Sequence, residues 1–310
     1  MGTRPAWKRM VGWGVAIACA AAVAHAAPPN ASTDSKDPSA PAATLAGHAI
    51  TAAYIVTVDV HAPLAARVAA LHGLHASAEA GNGEAQQLLG ALYLYGHQHP
   101  GSLVHRDPGK AGLYLSNAAV HGRLLAMAAM AELDLQRKRT VLANVWALLY
   151  EYYSIKLQHN HSKDGYLPAL IYRARRALPA KDFAEVKAGA VGMINRYDAS
   201  IRAGYAHHQA QHDPACQTKR LGGRRRSLLA LRPDAPRNGM ALFLVGIDAQ
   251  GTTRRVIPVL SLPTWRVQAR LAPFMRRERY NTAPHCGALL RFAFAPIELG
   301  DRRYEFSSRP

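Results

Sequence analysis

A helical pattern recurs in this chain after 41 residues, and this repeat restricts the possible folds more than any other sequence feature. The recurring positions are Ala80-Gly81, Ala85 and Leu92, which reappear as His121-Gly122, Ala126 and Leu133. A period of this length is typical of arrays in which helical hairpins stack, because a single hairpin cannot bury its apolar side alone. The repeat therefore predicts an all-α array.

The first copy, residues 78–119, fits two helices. In the first helix, apolar residues at helical spacing follow a capping residue, Asn82, and precede Gly96, which can adopt the left-handed conformation that ends a helix. The second helix starts after the N-cap Asp107 with Pro108, and Gly122 closes it. Small residues on both helices predict that their backbones approach closely. These small residues are Ala85, Gly90, Ala111 and Ala118.

This order of small residues, leucines, tyrosines and glycines resembles the Sel-one-like repeat, a relative of the tetratricopeptide repeat. The resemblance implies an α-solenoid that binds other proteins and performs no chemistry itself. The positions that carry the resemblance are Gly81, Ala85, Leu89, Gly90, Tyr93, Gly96, Asp107, Lys110, Ala111, Tyr114, Ala118, Gly122, Ala126, Ala143 and Trp146.

Less regular helices are predicted on both sides of these copies. Leu64, Val68, Leu71 and Leu74 fall at helical spacing and predict a helix that packs under the first copy, whereas residues 50–60 fit either a strand or a helix. Downstream, a degraded third copy starts at Asp164-Gly165 and stops at Pro179. A last amphipathic helix from Phe183 to about Tyr197 then closes the array, since an open end would leave apolar surface in water.

The N-terminus has the features of a secretory signal. A basic start is followed by an apolar run from Val11 to Val23 and by the small-residue site Ala24-His25-Ala26. We therefore expect cleavage after residue 26 and an exported, periplasmic protein that does not span the membrane. A retained membrane anchor and lipoprotein processing at Cys19 are the alternatives.

Composition divides the rest of the chain into four segments. Residues 27–44 are a flexible leader, residues 45–200 hold the repeats, residues 201–237 are a basic linker, and residues 238–306 form a second domain. The chain carries 38 Lys and Arg against 20 Asp and Glu, and residues 216–310 alone hold 18 against 6. The excess positive charge therefore lies in the C-terminal part, where an acidic partner or surface would bind.

The second domain has the order strand, strand, helix, strand. Met240 to Ile247 and Val256 to Leu260 are apolar runs around a turn at Asp248 to Gly251, which predicts a β-hairpin. A helix follows with the apolar stripe Trp265, Ala269, Ala272 and Met275, and Pro273 is expected to kink or shorten it. Leu289, Leu290, Phe292 and Phe294 predict the third strand.

This ββαβ order resembles the C-terminal domain of TonB, the energy transducer of Gram-negative cell envelopes. The residues that carry the resemblance are Asp248, Gly251, Ser261, Arg279-Tyr280, Ala283, Gly287 and Pro296-Ile297. The chain lacks the long proline-rich spacer of that family. The resemblance therefore implies a TonB-like fold used as a binding module. The predicted fold class is a multidomain chain, an all-α helical-repeat solenoid followed by a small α+β domain.

The 15 histidines suggest a metal site, and His208 with His212 has the spacing that places two imidazoles on one helix face. No glutamate lies between them as in zinc proteases, and no third ligand is indicated. The pairs His97 with His99 and His159 with His161 are interpreted as solvated loop residues. No catalytic motif is found, so we expect no enzyme activity and no cofactor.

Clustered arginines make the stronger case for a binding surface. They are Arg224, Arg225, Arg226, Arg254, Arg255, Arg276, Arg277 and Arg279. In an exported protein they favour acidic protein surfaces or anionic envelope polymers over nucleic acid. Three hypotheses result: a periplasmic protein–protein interaction scaffold, a binder of anionic polymer, and a metal-dependent enzyme that uses the linker histidines.

Cys216 and Cys286 are the two cysteines that remain once the signal is removed. Because an oxidising compartment permits a bridge, we predict that they form a disulfide between the linker and the second domain, with two free thiols as the alternative.

Overall fold

Helices predominate in the described residues from Gly47 to Ala210, and β-strands with one further helix follow. The computed structural model describes residues 47–160, 165–210, 219–220, 238–281, 290–300 and 303–306, which all belong to one unit. The predicted signal peptide and leader, both remaining cysteines and Arg224-Arg225-Arg226 lie outside the described residues. Among the described residues, no helix has the length and apolar character needed to cross a membrane.

Eight helices precede the strands in the described part of the chain. They are α1 (Gly47–Val58), α2 (Leu64–Glu79), α3 (Gly83–Tyr95), α4 (Pro108–Val120), α5 (Leu124–Gln136), α6 (Thr140–Gln158), α7 (Tyr166–Ala177) and α8 (Phe183–Ala210). Each helix from α1 to α6 packs against the next one along the chain. Residues 50–58, which the sequence left undecided, belong to helix α1.

The predicted ends of the first hairpin are confirmed. The Asn82 side chain accepts hydrogen bonds from the amides of Glu84 and Ala85, and Asp107 caps α4 in the same way. Gly96 and Gly122 have φ values of 54° and 81°, which favour glycine because a side chain would be strained there. The capping residues and glycines in the sequence therefore predicted these helix ends correctly.

The predicted close approach of α3 and α4 is also confirmed. A Cβ atom on Gly90 would lie 2.7 Å from Cγ of Leu115, and Ala85, Ala111 and Ala118 are fully buried. A larger side chain at position 90 would therefore push the two helices apart.

Two helix predictions need correction. Helix α2 forms as expected, but Leu64 and Val68 on it are exposed, so only its second half packs under the first copy. Helix α8 continues to Ala210, past Tyr197 and through the first ten residues of the predicted linker. Packing explains why α8 is longer than predicted. Ile201 is buried, and the absence of a side chain at Gly204 lets α8 lie against the backbone of His121.

The second domain contains the predicted hairpin, helix and strand. Its elements are β2 (Gly239–Asp248), β3 (Thr253–Leu262), α9 (Arg266–Met275), β4 (Tyr280–Asn281), β5 (Leu290–Gly300) and β6 (Arg303–Phe306), and a short strand in the predicted basic linker, β1 (Lys219–Arg220), precedes them. Four strands form an antiparallel sheet in the order β3-β2-β5-β6, while β1 pairs with β4. The structure therefore combines a helical part with a small α+β part.

The expected stripe of helix α9 is confirmed at Ala272 and Met275, which are buried, and is wrong at Ala269, which is exposed. Val267 and Leu271 are buried in addition. The buried residues follow the four-residue spacing that faces the sheet. Pro273 lies inside the last turn, and the helix ends two residues later at Met275.

Candidate functional site

Three of the predicted repeat residues, Tyr93, Lys110 and Tyr114, contact one another between α3 and α4, and His75 of α2 joins them. The rings of Tyr93 and Tyr114 stack with centroids 5.8 Å apart, and Nδ1 of His75 lies 3.0 Å from the hydroxyl of Tyr114. The ammonium of Lys110 lies 5.2 Å from the Tyr93 ring centroid. These residues hold neighbouring helices together, so their observed role is structural.

The helices and the C-terminal sheet pack against each other along one interface. We call it the helix–sheet interface, formed by α1, α3, α5, α6 and α7 on one side and β2, β3 and β5 on the other. Helix α3 is buried on all sides, from Glu84 to Tyr95, because it packs on other helices and also on β3. Strands of the same chain thus cover one side of these helices.

Tyrosine hydroxyls from the helices pair with the backbone of strand β3. The Tyr95 hydroxyl donates to the carbonyl of Ser261 at 2.6 Å and accepts from the Ser261 amide at 2.9 Å. The Tyr54 hydroxyl donates to the carbonyl of Pro258 at 3.2 Å, and Nε2 of His99 lies 2.7 Å from the same oxygen. Strand β3 is the outer strand of the sheet, so these groups cover an edge that would otherwise expose unpaired backbone.

A buried carboxylate joins α5 to α7 near this interface. The Tyr166 hydroxyl donates to Oε1 of Glu132 at 2.8 Å, and the Arg173 guanidinium forms an ion pair with the same carboxylate. Burial raises the pKa of Glu132, and the charge of Arg173 opposes that rise. The Tyr166 amide also donates to Oε2 of Glu298 on β5 at 3.2 Å. The cluster therefore connects two helices and a strand.

The predicted basic residues divide into two groups. Arg254 and Arg255 form ion pairs with Asp248 (2.6 Å) and Asp59 (3.0 Å). Arg276, Arg277 and Arg279 are exposed after helix α9. The sequence analysis did not include Arg266 at the start of the same helix, which is exposed as well. Helical spacing was the pattern that could have indicated this arginine.

The histidines paired in the sequence lie in different surroundings. His208 is buried on α8, while His212 and His161 lie outside the described residues. The interpretation of His99 as a solvated loop residue is wrong, because His99 is buried at the helix–sheet interface. Nε2 of His97 faces Nδ1 of His105 at 3.1 Å. Within the described ranges, no three His, Cys, Asp or Glu residues are grouped as metal ligands.

The tyrosines that face the sheet are the residues that sequence reasoning missed. Tyr54, Tyr95, Tyr150 and Tyr166 are buried and lie on helices α1, α3, α6 and α7. The available signal was composition, because the chain has 13 tyrosines against 6 phenylalanines, which favours contacts that combine apolar area with hydrogen bonds.

Comparisons of the chain with profiles of protein families, with curated proteins and with solved structures gave no match.

Proposed function

We propose that the protein is an exported periplasmic scaffold for protein–protein interactions, in which a helical-repeat solenoid holds a TonB-like module. The supporting observation is the helix–sheet interface, where Tyr54 and Tyr95 pair with the backbone of β3. Recognition of backbone groups at a strand edge is a protein-binding chemistry that requires no cofactor.

A helical-repeat array offers a groove to a partner, but strands β3 and β5 pack on helices α3, α5 and α7. We therefore place the partner protein on helix surface outside this contact, which we call the outer surface. Leu113 on α4 (59%) and Leu142 on α6 (44%) are large apolar side chains that are exposed, and they serve as the two probes of this surface. A contiguous apolar patch favours a protein partner over a soluble polymer.

Photocrosslinking in intact cells tests this placement. A photoreactive residue at position 113 or 142 should capture one and the same envelope protein, and the same residue at Arg277 on the opposite domain is the matched control. Equal capture from all three positions would contradict a specific outer surface. N-terminal sequencing of the protein itself, purified from the same cells, also tests export, because the mature chain is expected to start near Ala27.

A second candidate function is binding of an anionic envelope polymer by the second domain. It is favoured by one specific observation, that Arg266, Arg276, Arg277 and Arg279 are all exposed along and after helix α9. Helix α9 itself contains no acidic residue that would neutralise this side. Fixed positive charge on one side of a domain attracts polyanions.

A salt series separates the two candidates. Polymer binding should weaken steeply with ionic strength and should fall further in the Arg266→Gln/Arg277→Gln variant, because released counterions drive such binding. Arg176→Gln, which removes an exposed arginine from α7, is the matched control. Binding that is insensitive to salt and to these arginines would exclude the polymer function and leave the scaffold.

A further inference from the structure

Two exposed histidines meet at one end of the first hairpin. His97 lies in the short turn after α3, and His105 lies two residues before Asp107, the N-cap of α4. Nε2 of His97 is 3.1 Å from Nδ1 of His105, and the two ring planes are nearly perpendicular, at 83°. Each imidazole therefore places one nitrogen next to a nitrogen of the other.

The distance between these two nitrogens fits two ligands of one metal ion. Imidazole nitrogens bind Zn²⁺ at about 2.0–2.1 Å, so two of them are about 2.9 Å apart at a right angle and about 3.4 Å apart at the tetrahedral angle. The observed 3.1 Å lies between these values.

A hydrogen bond between the rings does not account for this arrangement by itself. A linear N–H···N bond of the same length would place the ring centroids about 5.4 Å apart. The observed centroid distance is 4.5 Å, so the two nitrogens do not point straight at each other. A bent hydrogen bond is a weak one, whereas two ligands of one ion are expected to meet at an angle.

The backbone around both histidines is fixed by contacts between the two segments. The Asp107 amide donates to the carbonyl of Tyr93 at 2.9 Å, and Nε of Arg106 donates to the carbonyl of Leu94 at 3.2 Å. A Cβ atom on Gly96 would lie 2.2 Å from the amide nitrogen of Arg106, so a residue without a side chain is needed there. Because folding already orders both segments, binding of one ion by both imidazoles costs little further entropy.

The protonation of the two rings is compatible with a cation. When no ion is bound, one of the facing nitrogens carries a hydrogen and the other accepts it. Moving this hydrogen to the other nitrogen of its own ring gives the second neutral tautomer and leaves two lone pairs for an ion. Arg106 is the adjacent positive charge; it opposes a cation and limits the affinity.

We propose that His97 and His105 bind one divalent late transition-metal ion, Zn²⁺, Ni²⁺ or Cu²⁺, through these two nitrogens. Neutral imidazole suits these ions, whereas Mg²⁺ and Ca²⁺ require oxygen ligands. Within the described part of the chain no third His, Cys, Asp or Glu joins the pair, so water completes the coordination. This site goes beyond the proposed scaffold function, and it involves neither the linker histidines nor the arginines around α9.

Titration of the untagged, metal-free protein with Zn²⁺ tests the proposal, with the histidine ring nitrogens followed by NMR of the ¹⁵N-labelled protein. Zn²⁺ should shift Nε2 of His97 and Nδ1 of His105, and Mg²⁺ at the same concentration should shift neither. His97→Ala and His105→Ala should each weaken Zn²⁺ at least about tenfold, read from the shifts of the remaining partner, because each leaves a single imidazole.

His72→Ala is the matched control, since it removes an exposed histidine of α2 and should leave the affinity of the pair unchanged. His97 and His105 are exposed too, so their alanine variants should keep the urea midpoint of the parent. A Zn²⁺ response that spares the ring nitrogens of both residues, or an affinity that His97→Ala and His105→Ala leave intact, would overturn the proposal.

Discussion

The two faces of the C-terminal sheet bury apolar side chains against different neighbours. Phe243, Val245 and Ile247 of β2 face α9, and this contact is apolar on both sides. Met240 and Leu244, on the other face of the same strand, belong to the core that the helices form. Hydrogen bonds from the hydroxyls of Tyr54 and Tyr95 to β3 accompany the second contact.

This difference distinguishes the contact that forms the core of the second domain from the contact that attaches this domain to the helices. The contact with α9 is local in sequence and resembles a domain core, whereas the helix–sheet interface combines apolar area with paired polar groups, as contacts between domains commonly do. We therefore expect the face toward α9 to contribute more to the stability of the second domain. The following experiments test that expectation.

The largest effect is expected at Phe243, which is fully buried against α9. Phe243→Ala removes a large side chain from a packed core and should lower the free energy of unfolding by about 3–5 kcal/mol. Urea unfolding measures this, and Trp265 reports the state of the interface because its ring lies 4.6 Å from that of Tyr95.

Leu244→Ala is the matched control on the opposite face, where Leu244 is buried against the helices. Hydrogen exchange should show loss of protection in α9 for Phe243→Ala, while Leu244→Ala should spare α9. Equal loss of α9 protection in both variants would show that the two faces do not act separately.

An intermediate effect is expected at Tyr95. Tyr95→Phe keeps the ring but removes the hydroxyl that pairs with both the amide and the carbonyl of Ser261. Since these buried backbone groups would lose their partner, the free energy of unfolding should fall by about 1–3 kcal/mol.

Tyr172→Phe is the control for Tyr95→Phe, because Tyr172 is exposed on α7 and its loss should change stability by less than about 0.5 kcal/mol. If both substitutions had the same small effect, the tyrosine hydroxyls would not hold the strand edge, and the helix–sheet interface would depend on apolar contact alone.

The sequence predicted the local features of this fold well. Capping at Asn82 and Asp107, the close approach at Gly90 and the hairpin turn at Asp248 follow from residue types within a few positions of one another. The face of β2 toward α9 is equally local, because hairpin and helix are adjacent in the chain.

The helix–sheet interface could not be predicted in this way. Tyr95 and Ser261 are separated by 166 residues, and no short-range pattern indicates which tyrosine meets which strand. The same limit applies to Arg123, since its burial depends on Gln87, on Phe294 and on the passage of α8.

The smallest effect on stability is expected at the turn between β2 and β3. Oδ1 of Asp248 accepts from the amides of Thr252 (2.8 Å) and Gln250 (3.0 Å), and its other oxygen pairs with Arg254. The hydrogen bond from Thr252 is the largest cause that holds the pKa of Asp248 below its ordinary value of 3.8, and Arg254 adds to it. A lowered pKa in the folded state means that the ionised carboxylate stabilises folding above that ordinary value, and that this contribution is lost as pH falls through the folded pKa.

Asp248→Asn keeps an oxygen acceptor but removes the charge, so it should be slightly less stable than the parent at neutral pH, and the difference should disappear as pH falls through the lowered pKa of Asp248 in the folded state. Urea midpoints measured across this range decide the matter, with Asp182→Asn on the surface near α8 as the control that lacks a hairpin contact. A difference that stays constant with pH would mean that geometry and not charge stabilises the turn. A difference larger than that of Tyr95→Phe would instead rank the hairpin turn above the helix–sheet interface and reverse the expected order.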